Sequence, residues 1–84
     1  FVGLVLEYDE NTGMALIEQR NKVSTGDEID IMIPGKGFIT QKIVMITDTD
    51  GVAIESTPHP KMRYYLQMSV PVKPMDILRK QDQV

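Results

Sequence analysis

The chain has 84 residues, with nine basic against twelve acidic side chains and a net charge of −3. A chain of this size makes one small domain, burying roughly 60–65% of the surface it exposes when unfolded. It contains no cysteine, so neither a disulfide nor a thiolate metal site can support the core. The acidic balance disfavours a general nucleic-acid binder, which presents a basic face, but leaves room for a local basic patch. No apolar run approaches the ~20 residues of a membrane span, and no signal peptide opens the chain. The lack of cysteine suits a reducing cytosol, so a cytoplasmic location is the expectation. The sequence starts at Phe1 inside strand-like residues, and reads as a piece of a longer protein.

In chain order, Phe1 to Tyr8 predicts a first strand with Val2, Leu4, Leu6 and Tyr8 on one face. Asp9-Glu10-Asn11-Thr12-Gly13 has the Asn-x-Gly chemistry of a hairpin loop closed by a bulge. Met14 to Gln19 returns as the second strand, since six residues between turn signals are too few for a stable helix. A polar loop, Arg20-Asn21-Lys22, then runs into Ser24-Thr25-Gly26-Asp27. Gly26 suits a backbone position with positive φ, and Asp27 can accept from nearby amides, so the pair marks a tight turn. In Glu28 to Ile33 the isoleucines alternate with Glu28, Asp30 and Met32, which places isoleucines on one face and acids on the other.

Pro34-Gly35-Lys36-Gly37 stops that third strand, and Phe38 to Thr47 predicts the fourth and longest. Its phase breaks between Thr40 and Ile43, which a bulge or barrel corner would explain. Asp48-Thr49-Asp50-Gly51 turns into a short strand, Val52 to Glu55, and Thr57-Pro58-His59-Pro60 makes a rigid connection. Met62 to Val70 alternates again, with Met62, Tyr64, Leu66, Met68 and Val70 on one side. Pro71 and Pro74 bracket a last extended piece ending at Arg79. The expectation is an all-β fold: a small six- to seven-stranded barrel over residues 1–80, with residues 81–84 a frayed polar tail. A small sandwich is the alternative.

No catalytic constellation stands out. His59 is the one histidine, and no metal-binding spacing accompanies it. Asp48-x-Asp50-Gly51 lacks the twelve-residue calcium-loop pattern and reads as a turn. Gly35-Lys36-Gly37 has no following helix to cradle a phosphate. Arg20, Asn21 and Lys22 form the most suggestive polar cluster, two cations and an amide able to meet phosphate or carboxylate. The bland reading is that Arg20 caps a barrel end and Lys22 is solvated. Of Tyr64 and Tyr65 only one can face the core, and the outward one, expected to be Tyr65 beside Arg63, could stack on a base or a neighbouring domain. The six methionines read as core gap-fillers. Arg20, Asn21, Lys22, His59, Arg63 and Tyr65 are therefore the candidate binding residues, with no catalytic residue, metal or cofactor expected.

Three segments together carry a resemblance: FVGLVLEYDENTGMALIEQRNKVSTGDEIDIMIPG, then DTDG with STPHP, then VPVKPMDILRK. In this order they resemble the C-terminal domain of the collagenase-like peptidases, peptidase family U32. Each motif alone is weak; their joint occurrence over nearly the whole chain is specific. Arg20, Asn21, Gly26, Asp27, Pro58, His59, Pro60, Asp76 and Arg79 match the family pattern, while Thr57 stands where a small residue such as alanine is usual. The resemblance implies a β-barrel similar to the second domain of elongation factor Tu, appended to a larger catalytic domain upstream. It implies a hydrolase parent, with peptidases acting on collagen among the members and tRNA uridine hydroxylation among some relatives. The expected function is a non-catalytic accessory domain that positions substrate or packs on the catalytic domain of the same chain. The alternative is an RNA- or tRNA-binding module. Protein or peptide substrate and tRNA are thus the partners to weigh, and no membrane.

Overall fold

The computed structural model describes residues 1–80; the expected tail at 81–84 lies outside the described residues. Eight antiparallel strands form one curled sheet: β1 (Gly3–Asp9), β2 (Met14–Gln19), β3 (Glu28–Ile33), β4 (Gly37–Lys42), β5 (Ile46–Asp48), β6 (Ala53–Ile54), β7 (Arg63–Gln67) and β8 (Ile77–Lys80). Their order across the sheet is β4-β3-β8-β1-β2-β7-β5-β6. The fold is all-β, a small barrel as the sequence predicts, with eight strands among the described residues in place of six or seven.

The turn chemistry acts as expected. Asn11 N–H donates to Asp9 Oδ1 at 2.8 Å, and Gly13, at φ 74°, closes the first hairpin by donating to the Asp9 carbonyl at 2.7 Å. Gly26 sits at φ 91°, and Asp27 Oδ2 accepts from Ser24 N–H at 2.8 Å. Asp48 Oδ1 accepts from both Asp50 and Val52 N–H, which makes Asp48-x-Asp50-Gly51 a hairpin turn.

Three expectations need correction. In β1 the register shifts between Val5 and Glu7 opposite β2. Leu6 therefore absorbs one residue, and Val5 fills the core while Leu4 and Leu6 are only half-buried. The long fourth strand is two strands, because the chain turns a corner at residues 43–45, where the phase breaks. The acids of β3 do not share a solvated face. Asp30 is buried, accepts from Thr40 Oγ1 at 2.8 Å, and lies 3.4 Å from Arg79 Nη2. That guanidinium also stacks 5.8 Å from the Phe38 ring centre.

Ile17, Ile29, Ile31, Ile46, Tyr64, Leu66 and Leu78 are fully enclosed within one core. The alternation of Met62 to Val70 holds: Tyr64, Leu66 and Met68 are buried, with Met62 and Val70 packed against them. Of the six methionines, however, Met68 alone is a buried core residue, and Met45 and Met75 are exposed. Gly3 is required for close packing, since a Cβ there would stand 2.6 Å from Ile17 Cγ2 and 3.3 Å from the Tyr64 hydroxyl.

Side chains and loops, more than strands, bring the two ends of the sheet together. Val23 and Thr57 exchange bonds: Thr57 N–H donates to the Val23 carbonyl at 3.0 Å, and Val23 N–H donates to Thr57 Oγ1 at 3.0 Å. Ile43 N–H donates to the Asp27 carbonyl and Gly26 N–H to the Ile43 carbonyl. Gln41 spans the gap from β4 to the end of β7, its Nε2 donating to the Gln67 carbonyl at 2.9 Å and its Oε1 accepting from Ser69 N–H at 2.8 Å.

Candidate binding surfaces

The pairing of β2 with β7 decides where the candidate residues meet. Glu18 lies opposite Arg63, and Gln19 N–H donates to the Met62 carbonyl at 2.8 Å. The loop after β2 is thereby laid beside the turn before β7, and the Val23–Thr57 bonds fasten the other end of both. Arg20, Asn21, Lys22, His59 and Arg63 consequently share one end of the barrel, all exposed. Sequence reasoning passed over Lys61, an exposed residue at φ 57° between His59 and Arg63. Its signal was the Lys-Met-Arg run after Pro60. A non-glycine residue in the left-handed region is uncommon, and here it tips the turn that Met62 N–H closes on the His59 carbonyl at 3.3 Å.

Several members of this corner also have structural partners. Arg20 Nη2 lies 3.0 Å from Glu18 Oε1. Its backbone N–H and that of Asn21 both donate to the Val2 carbonyl, and Asn21 Nδ2 donates to the Phe1 carbonyl at 2.9 Å. Arg20 and Asn21 thus hold the chain start against β2. Lys22, Lys61 and Arg63 are exposed cations, with Arg63 opposite Glu18 across the β2–β7 pairing.

Tyr65 faces outward, as expected, and Tyr64 inward. Its setting differs from that of the cationic corner two residues away. Tyr65 lines a pocket of about 340 Å³ with Glu7, Asp9, Thr12 and Thr47. Two carboxylates beside the ring repel a phosphate backbone and suit an amine or an amide better. The basic corner and Tyr65 are therefore not one uniform nucleic-acid surface.

Tyr64 is buried, and burial holds its phenol well above the ordinary tyrosine range. Its hydroxyl and Gln19 Oε1 have no hydrogen-bond partner among the described residues. Among those residues no group of three or more His, Cys, Asp and Glu side chains is placed to hold a metal ion. Among the described residues no helix is long and apolar enough to cross a membrane.

These features define a small antiparallel β-barrel with its candidate binding residues on the outside. The chain belongs to the peptidase family U32 C-terminal domain, whose pattern it matches over residues 1–79. It is 36% identical over 80 residues to the tRNA hydroxylation protein P1 of Bacillus subtilis, covering 95% of this chain and 19% of that protein. The chain thus spans about a fifth of the length of this curated relative. The C-terminal domain of a Geobacillus thermoleovorans protein described as a U32 peptidase superimposes with a TM-score of 0.91 at 36% identity, covering 98% of this chain and 92% of that one. Its selenomethionine variant gives 0.89 at 38% identity, covering 95% and 98%.

Residues of the family pattern have clear structural duties here. Gly26 and Asp27 form the turn before β3, and Asp76 Oδ2 accepts from Lys73 N–H at 2.9 Å before β8. Arg79 pairs with Asp30 across the β3–β8 register. The departure at Thr57 matters more than the sequence implied, because its hydroxyl is a buried acceptor at the barrel closure.

Proposed function

We propose that this chain is a non-catalytic accessory domain of a longer U32-type polypeptide, packing on the larger part of that polypeptide and helping to position its substrate. One observation carries the reading. Eight large apolar side chains are exposed among the described residues, and Phe38, Ile39, Val44, Met45, Met75 and Ile77 border the edge strand β4 or its flanks. A core this complete has no need of them, and large apolar side chains left exposed beside an edge strand are the mark of surface covered by another body. Turnover assays test the reading. The isolated chain leaves gelatin and unmodified tRNA unchanged, whereas the longer polypeptide acts on its substrate and loses activity when residues 1–80 are deleted. Turnover of either substrate by the isolated chain overturns it.

The basic corner favours a second reading, a tRNA-contacting module, in line with the name of the Bacillus subtilis relative. Lys22, Lys61 and Arg63 would meet phosphates, with Arg20 partly neutralised by Glu18. A titration of the isolated chain with tRNA at ~50 mM and ~200 mM salt separates the readings, because phosphate contacts weaken steeply over that range. Absence of binding at the lower salt removes the tRNA reading and leaves the first intact.

A further inference from the structure

The seam of the barrel carries an unassigned surface. Between the end of β4 and the end of β7 opens a groove of about 410 Å³ whose lining includes Met14, Val44, Met45 and Met68. Val44 is 83% exposed and Met45 59%, although both follow the buried Ile43 at the β4–β5 corner. Residues 43–45 form no strand, so β5 pairs with β7 only as far as Ile46 opposite Leu66. Beyond that point the Gln67 carbonyl and the Ser69 N–H, two residues apart on one edge, would lack a strand. The Gln41 carboxamide takes its place, giving one donor and one acceptor as a peptide group would. The groove is therefore pre-formed, its polar seam satisfied and its apolar rim left open.

Its charge is equally selective. In a chain of net charge −3, the groove is lined by no acid, and Lys42 is its one charged residue. The rival apolar patch near Phe38 is weaker as a docking site, because the Arg79 guanidinium already stacks on that ring. Its adjoining concavity, about 190 Å³, also contains Asp76.

We infer that the seam groove is the docking site for an apolar segment of the longer polypeptide, one that inserts aliphatic or aromatic side chains between Met45 and Met68 and presents a carboxylate to Lys42. This rests on the accessory-domain reading and names the face through which it operates. The occupant follows from size and tethering. The matched region is 19% of the Bacillus subtilis relative, so about four-fifths of that chain lies outside it. A groove built around a few residues falls short of the ~800 Å² per partner that a stable complex of separate molecules needs. Covalent linkage raises the effective concentration into the millimolar range, where so small a contact is enough. A second copy of this acidic chain is less well matched, since it would bring two lysine-bearing grooves together.

Hydrogen exchange tests the inference on the longer polypeptide and on the isolated chain, a workable comparator because the Geobacillus counterpart has been crystallised as a C-terminal domain. Exchange across residues 41–45 and 67–69 is expected to slow about ten-fold or more in the longer polypeptide. The double substitution Val44→Asp with Met45→Asp, at exposed positions, should remove that protection while leaving the isolated chain folded. Protection confined to other faces, such as residues 61–65, overturns the groove and leaves the accessory-domain reading standing. No protection on any face overturns both. Protection of the groove in the isolated chain that grows with its concentration, or on adding tRNA, assigns it to a second copy or to RNA and overturns the inference.

Discussion

Replacing Thr57 with valine keeps the shape of the side chain and deletes one hydroxyl. That hydroxyl accepts from Val23 N–H at 3.0 Å and lies 3.4 Å from the Val23 carbonyl. Thr57 is 0% exposed and Val23 1%, so water cannot replace the missing acceptor. The Val23 carbonyl keeps its bond from Thr57 N–H, so a single donor is orphaned. Leaving one buried donor unsatisfied costs about 1–3 kcal/mol. In a domain of this size each kcal/mol moves Tm by about 4–8 °C, so a loss near 2 kcal/mol lowers it by about 8–16 °C. Thr57→Ser is the control. It keeps the hydroxyl and loses one methyl, worth about 1 kcal/mol. Thermal and urea unfolding of the isolated chain should rank wild type above Thr57→Ser above Thr57→Val, with an unchanged m-value. A valine variant as stable as wild type would refute the claim that this hydroxyl fastens the barrel closure.

Gly3→Ala puts a methyl 2.6 Å from Ile17 Cγ2 and should cost about 1–3 kcal/mol by overpacking, measured by urea unfolding; an unchanged midpoint contradicts the packing described. Tyr64→Phe removes a buried hydroxyl that has no partner among the described residues, so its stability at neutral pH should stay within about 0.5 kcal/mol of wild type or rise. With its folded pKa raised by burial, Tyr64 contributes stability fully below the unfolded value near ~10 and progressively less as pH rises above it. Wild type should therefore lose more stability than Tyr64→Phe between neutral pH and ~11, and parallel pH profiles would contradict this. For the basic corner, replacing Lys22, Lys61 and Arg63 with glutamine should reduce the salt slope of any tRNA binding by roughly 2–3 units, and an unchanged slope places the contacts elsewhere.

Turns were the most legible part of the fold. Asp9 to Gly13, Ser24 to Asp27 and Asp48 to Gly51 each combine a short side-chain acceptor with a glycine at positive φ, and such chemistry is local. The alternation of Met62 to Val70 was equally readable, because one face meets the core throughout. Strand β1 misled because a one-residue bulge at Leu6 changes the phase between Val5 and Tyr8, both of which meet the core, and nothing in FVGLVLEY marks it. Asp30 misled because its partners, Thr40 and Arg79, come from β4 and β8, set by register. The basic corner was half visible: Arg20 to Lys22 stands out as a cluster, but its meeting with Lys61 and Arg63 depends on the β2–β7 pairing. The seam groove was invisible, since Gln41 looks like any polar strand residue until β7 ends beside it.

The central claim is that the apolar face near the β4–β5 corner is covered in the longer polypeptide. The chain contains no cysteine, so Val44→Cys introduces a single thiol within it at a position 83% exposed. Its maleimide labelling rate, read from the mass of the peptide that carries residue 44, should be fast in the isolated chain and about ten-fold or more slower in the longer polypeptide. Equal rates in the two contexts would contradict the account.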